Sequence, residues 1–379
     1  MQTFHCNHCR HSVYFENVRC VHCGHALGFA TDLRRMVAIE PVDELRWRIT
    51  GPQPAQRFYR LCRNSVEYNV CNFLVPDAEP HELCLSCRLT DTVPDLSEPE
   101  NREHWYRMEV GKRRMLHTLM TLGLPIISGH DDPEQGVSFH FLAEHPGCPW
   151  VMTGHDSGVI TISLSEADDA ERARRRAALH EPYRTLLGHF RHEIGHYYWD
   201  RLIRDTDRLG AFRETFGDER QDYGAALDRH YLEGAPAEWP QTFISAYASA
   251  HPWEDWAETW AHYLHLVDTL ETASAHGVSL YPVDAVPEPD LTGLPETFDR
   301  MLANWVPLTL MLNEFNRGMG LPDSYPFVLP PSAVGKLHFV HETINATSAR
   351  ARAATGRFAE ALSVTEAPQA VPGPRTANG

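Results

Sequence analysis

The stretch HFRHEIGHYYWD, residues 189–200, sets His192 and His196 four positions apart with Glu193 directly after the first. At about 100° per residue the two histidines leave one side of a helix together, with Glu193 at the flank. Leu187, Phe190, Ile194, Tyr198 and Leu202 gather on the opposite side. That division buries an apolar face and turns two imidazoles toward a cleft, where they can hold a metal ion. Histidine is abundant, 23 of 379 residues, and an HExxH pattern has a chance expectation of about 0.1 in such a chain. The surrounding sequence therefore has to carry the reading.

A catalytic zinc site takes three protein ligands and leaves the fourth position to water. The third donor is sought in AYASAHPWEDWAETWAHYLHLVDTL, residues 246–270. With helical spacing, Trp256, Trp260, Tyr263 and Val267 form an apolar stripe. Glu254, Glu258, His262 and His265 lie on the other side. Glu254 and Glu258 stack one turn apart, so one can ligate while the other holds a ligand imidazole. The rival third ligands are His251, His262 and His265. Asp200, one turn beyond His196, is either an orienting partner of that histidine or a solvated helix-end charge, and Asp205 and Asp207 read as surface charge.

The cysteines carry a separate signal. Cys6, Cys9, Cys20 and Cys23 form two CxxC pairs, CNHC and CVHC, separated by ten residues. Two such turns face to face make a tetrahedral sulfur cage suited to zinc. Cys62, Cys71, Cys84 and Cys87 make a second quartet with looser spacing, and Cys148 stands alone as a buried structural residue. His5, His8, His11, His22 and His25 crowd the first quartet as exposed or supporting groups. A region this small cannot support itself by apolar burial, so bound metal contributes its folding energy.

The chain is 42% hydrophobic and 22% charged, with a formal net charge of −17. Such a composition supports a substantial core and disfavours nucleic acid or an anionic membrane surface as a partner. No span of about 20 uncharged apolar residues occurs, and no apolar leader follows a basic start. A cytoplasmic protein is the simplest reading, with the cysteines as metal ligands in a reducing compartment. The segment DTVPDLSEPENRE, residues 91–103, reads as a linker. Beyond it, WYRMEVGKRRMLHTLMTLGL reads as helix, GVSFHFL and GVITISL as strands, and EADDAERARRRAALHEP as a charged helix. Residues 292–322 read as helical, and 324–344 as a packed coda. The expected organisation is a zinc-ribbon region with two four-cysteine zinc sites over 1–96, a catalytic domain over 97–345 and a flexible tail over 346–379.

HEIGH followed by Tyr247, Glu254 and Glu258 resembles the gluzincin metallopeptidases, specifically the anthrax lethal factor group. That group pairs HExGH with a tyrosine seven residues before the ligand glutamate and a second glutamate four after it. The resemblance implies His192, His196 and Glu254 as zinc ligands, Glu193 as general base, Tyr247 facing the oxyanion, and Glu258 supporting a ligand. The full arrangement, from the cysteine ribbons through LCLSCRLTDTVPDLS to PWEDWAETWAHYLH, is similar to a bacterial family of zinc-binding metallopeptidases with an N-terminal zinc ribbon. It implies an α+β protein: a mainly helical zincin-like domain with a short sheet, preceded by small zinc-ribbon modules. It further implies one catalytic and two structural zinc ions, and a peptide or protein substrate. The interval between His196 and Glu254 is long for a gluzincin and predicts an insert over about 206–246, which leaves the choice between Glu254 and Glu258 open. Two other readings keep the metal. In one, the ribbons dock a protein partner and the C-terminal domain is a non-catalytic scaffold; in the other, the hydrolysed bond is a non-peptide amide.

Overall fold

The computed structural model describes residues 1–51, 57–144, 147, 151–178, 183–278 and 297–364. Cys148 lies outside them, as do the last residues of the chain. The architecture is α+β. Among the described residues, strands and turns with one short α-helix make up the first 92 positions, and helices dominate the rest.

β1 (Phe4–His5) pairs antiparallel with β2 (Ser12–Val13). β3 (Ala26–Ala30), β4 (Arg35–Pro41), β5 (Trp47–Ile49), β6 (Phe58–Leu61) and β7 (Leu74–Pro76) form an antiparallel sheet in sequence order, with α1 (Arg63–Tyr68) between β6 and β7. The doubled CxxC text becomes a doubled turn. Arg10 N donates to Cys6 O at 2.7 Å and Gly24 N to Cys20 O at 2.9 Å. Arg10 and Gly24 both take the left-handed conformation, with φ 66° and 77°. The two cysteine quartets share one apolar cluster with Phe4, Phe15, Phe29 and Phe73. Rings from the first ribbon (Phe4, Phe15) and from the sheet side (Phe29, Phe73) therefore pack together around the quartets, while Val37, Ile39, Ile49, Tyr59 and Leu74 form a second, smaller apolar cluster in the sheet.

α2 (Pro99–Leu122) joins this unit to the remainder and ends at Gly123, whose φ of 69° closes the helix. Its His117 ring stands edge-on to Phe4 and Phe15, and Arg113 donates to Val70 O at 2.7 Å. β8 (Thr90–Thr92), β9 (Ser138–Leu142), β10 (Gly154–Asp156) and β11 (Val159–Ser163) form the second sheet in the order β10-β11-β9-β8. β9 is parallel to both β8 and β11, and β10 is antiparallel to β11. The expected linker over 91–103 therefore needs correction. Its first residues are a sheet strand, since β-branched Thr90 and Thr92 pair with Phe139 and His140. Its last residues are helical, since Pro99 occupies a first-turn position where a missing N–H costs nothing.

The helices continue with α3 (Asp169–Ala178), α4 (Leu186–Leu202), α5 (Leu209–Phe216), α6 (Tyr223–Glu233), α7 (Pro252–Ala275), α8 (Phe298–Gly318) and α9 (Pro331–Val364). α9 runs through the boundary set at 345, so the segment expected as a flexible tail is helical to Val364. Residues 346–364 are rich in alanine and arginine and contain no proline, which favours helix. Ser348 in this stretch is buried and donates to Leu122 O. No helix among the described residues is long and apolar enough to cross a membrane.

α4 and α7 cross at the centre of the main core. Gly195, the glycine of HEIGH, makes the crossing close: a Cβ there would lie 3.2 Å from both Ala257 Cα and Trp260 Cβ. Trp256 Nε1 donates to Gly195 O at 2.8 Å across the contact. Phe190, Ile194 and Tyr198 are buried on the face assigned to the core, with Leu187 and Leu202 at its margin.

Candidate metal centre

α4 begins at Thr185, whose side chain accepts from Gly188 N at 3.0 Å. Two turns later it presents His192 and then His196. α7 begins at His251, whose Nδ1 accepts from Trp253 N at 3.1 Å, with Pro252 at the first helical position. This start puts Glu254 in the first turn of α7, beside α4. One donor atom each from His192, His196 and Glu254 lies within 4.8 Å of the others. Glu254 Oε2 is 2.9 Å from His192 Nε2 and 3.6 Å from His196 Nε2.

Glu258 is one turn farther along α7 and meets His192 from the other side, Oε1 at 2.7 Å from Nδ1. Ser245 Oγ donates to Glu258 Oε2 at 2.6 Å. The rival ligands have other partners. His251 caps α7, His262 Nδ1 lies 2.8 Å from Tyr325 Oη, and His265 Nδ1 lies 3.5 Å from Tyr183 Oη. Asp200 pairs with Arg204 at 2.6 Å.

The charges are tightly coupled. Burial alone lowers the pKa of His192, but Glu254 and Glu258 outweigh it and raise it well above the ordinary value. Burial pushes Glu254 up, and His196 and His192 together hold it well below the usual carboxylate range. For Glu258 burial is likewise overcome by His192, and the carboxyl sits at about 2. A buried carboxylate, Glu254, and a half-buried one, Glu258, thus converge on the His192 ring from its two nitrogens. Glu193 differs: it is 6% exposed, its Oε2 is buried with no hydrogen-bond partner, and burial raises its pKa.

Three groups beside the centre have no motif spacing to announce them. Tyr223, at the start of α6, donates from its hydroxyl to Glu254 Oε1 at 2.6 Å. His155 on the edge strand β10 has its ring 6.2 Å from that of His196, and its Nε2 accepts from Gly158 N at 3.0 Å. Burial pushes His155 down to about 3, so it is neutral. The third is Ser245. Tyr247, the phenol singled out by its interval from Glu254, has its ring 5.9 Å from that of His192 and 5.7 Å from that of His230. Trp253 lies 4.0 Å from the His196 ring and is half-buried.

The cysteine clusters meet a geometric test. Four sulfurs each about 2.3 Å from one zinc lie about 3.8 Å apart at tetrahedral angles, whereas disulfide-bonded sulfurs lie about 2.05 Å apart. Cys6 and Cys23 are 3.7 Å apart, and Cys9 and Cys20 3.6 Å. Cys71 and Cys84 are also 3.6 Å apart, and Cys62 and Cys87 complete the second group. In the second group Phe73 N donates to Cys71 Sγ and Cys84 N to Cys62 Sγ, each at 3.4 Å, which favours thiolate charge. The eight cysteines are free thiols grouped four by four. The His8 and His25 rings meet at 3.9 Å, tilted by 30°, and those of His11 and His22 stack at 4.9 Å.

Comparison with known proteins agrees with this anatomy. Residues 3–98 match a zinc-ribbon domain, and residues 101–343 match a family described as "Putative zinc-binding metallo-peptidase". Two uncharacterized proteins of Mycobacterium tuberculosis strains and one of Mycobacterium bovis are each 43% identical over 347 residues, covering 91% of this chain and 96% of theirs. No solved structure gives a significant match. With both matched regions holding the histidine, glutamate and cysteine clusters just described, the chain belongs to this zinc-binding metallopeptidase family, carrying a zinc-ribbon domain at its N-terminus.

Proposed function

We propose that the chain is a zinc-dependent peptidase of the HExxH gluzincin type, with His192, His196 and Glu254 holding the catalytic ion and the two cysteine quartets holding structural ones. One observation carries the reading: two imidazoles and a carboxylate converge within 4.8 Å, and beside them stands a buried glutamate with an unpartnered oxygen. A purely structural metal site has no need of that fourth group. When bound, zinc supplies a Lewis acid that acidifies water and polarises a carbonyl.

The protein's own residues do the rest. Glu193 accepts the proton of the attacking water on its free Oε2 and passes it to the leaving amine. Glu258 keeps His192 oriented through Nδ1, so that Nε2 is the nitrogen presented to the metal. Tyr247 keeps its proton, because burial and Glu254 push its pKa well up, and a neutral phenol can donate to the developing oxyanion. The substrate on this reading is a peptide or protein, which the ribbon region can help to recruit. Eight reduced thiols fit a cytoplasmic location.

The test is Glu193→Gln in protein carrying its full zinc complement, assayed on a peptide library with mass-spectrometric detection. The variant retains metal and fold and loses turnover by orders of magnitude. Undiminished cleavage removes Glu193 from the chemistry. Cleavage confined to non-peptide amides reassigns the substrate.

A further inference from the structure

The 206–246 segment is no passive insert. It folds as α5 and α6, and α6 starts at the metal centre. Asp222 caps it by accepting from Ala225 N at 3.0 Å. The preceding turn is tied to the start of α7, where His251 Nε2 lies 3.2 Å from Gln221 O. Between these anchors the Tyr223 ring stands edge-on to His251 at 5.3 Å and to Trp253 at 5.6 Å. Its hydroxyl is thereby aimed at Glu254 Oε1, 2.6 Å away.

The consequence lies in how the two oxygens of Glu254 are divided. Oε2 faces both imidazoles. Oε1 is occupied by the phenol. Glu254 is 1% exposed, so water does not compete for either oxygen. A carboxylate with both oxygens free can chelate a divalent ion through both, which uses the coordination position that hydrolysis leaves to water.

We infer that Tyr223 is a positioning residue that restricts Glu254 to one-oxygen coordination and so keeps a coordination position open for water. The inference rests on the peptidase reading above but concerns a residue outside the HExxH pattern and its partner glutamates. It also gives α6 a definite role: the helix brings to the centre a phenol that α4 and α7 do not supply. Tyr223 acts through Glu254, whereas Tyr247 sits against the His192 ring.

The experiment uses the full chain with its cysteine cages loaded with zinc and the third site stripped and reloaded with cobalt(II) or zinc. Tyr223→Phe removes only the hydroxyl and keeps the ring between His251 and Trp253. The expected result is retained metal, zinc affinity about 10- to 100-fold weaker by chelator competition, and a weaker cobalt d–d absorption as the coordination number rises. Ser245→Ala is the control, because it loosens Glu258 and leaves the Tyr223–Glu254 bond intact. It lowers affinity without changing the cobalt spectrum. Tyr223→Phe with unaltered affinity and spectrum overturns the inference and leaves the peptidase reading standing. A spectral change shared equally by both variants also overturns it, by assigning the effect to general loosening. Wild-type protein that takes up no metal beyond the two cages overturns both.

Discussion

Replacing Gly195 with alanine tests whether the close crossing of α4 and α7 is the reason glycine occupies this position. In an open helix interior the change stabilises by about 1 kcal/mol through propensity. At this crossing the new methyl meets Ala257 Cα, Trp260 Cβ and Trp260 Cδ1, each at 3.2 Å. None of these atoms yields easily: one is backbone, and Trp260 is fully buried with its ring stacked on Tyr198 at 5.0 Å. Overpacking of this kind costs about 1–3 kcal/mol, so the net expectation is a loss of about 0–2 kcal/mol once the propensity gain of about 1 kcal/mol is returned. The control is Gly335→Ala, an exposed α9 position whose Cβ meets nothing within 4 Å, which gains about 1 kcal/mol. Urea unfolding of both variants, followed by far-UV circular dichroism, should separate them by about 1–3 kcal/mol on these estimates. Equal stabilisation by the two substitutions would refute the claim that close helix approach is why glycine occupies this position.

The other predictions concern charge and catalysis. Glu258→Gln keeps the shape of the side chain but removes the charge facing His192 Nδ1 at 2.7 Å, so zinc affinity falls about 10- to 100-fold by chelator competition, and unchanged affinity contradicts the role given to Glu258. Tyr247→Phe raises the barrier for turnover by about 2.7–4 kcal/mol if its phenol faces the oxyanion, read as kcat on a defined peptide, and an unaffected kcat reassigns that role. For Glu166 burial raises the carboxyl pKa, but His189 and Arg184 outweigh it and hold the group well below its usual range. A depressed folded value means that the stability from this cluster is complete above the unfolded pKa of about 4.3 and is lost as pH falls through the folded value. Glu166→Gln therefore flattens the acid limb of a stability-versus-pH curve, and an acid limb identical to wild type shows that the cluster contributes nothing there.

Much of the centre was legible because its determinants are local. HEIGH fixes two imidazoles on one helix face by periodicity alone, and CxxC closes into a turn whatever surrounds it. The helices and strands with strong periodicity also appear where the text implied them. The misreadings fell where a local signal was ambiguous. Proline and acidic residues over 91–103 look like a linker, yet Pro99 starts a helix and Thr90 and Thr92 add a strand to a sheet whose next strand begins at Ser138. The alanine-rich run after 345 looks like tail composition and is also good helix.

By itself, then, the sequence determined the kinds of candidate donor and the helix faces that carry them, because backbone periodicity places near neighbours without reference to the rest of the chain. Only the tertiary structure decided which glutamate lies against both imidazoles. Glu254 and Glu258 share one face of α7, and their difference depends on where α4 crosses it. The tertiary structure also brought Tyr223, Ser245 and His155 to the centre from three separate segments, each by contacts that no spacing encodes. Such groups are found through the packing of the elements that carry them, which is a property of the folded chain as a whole.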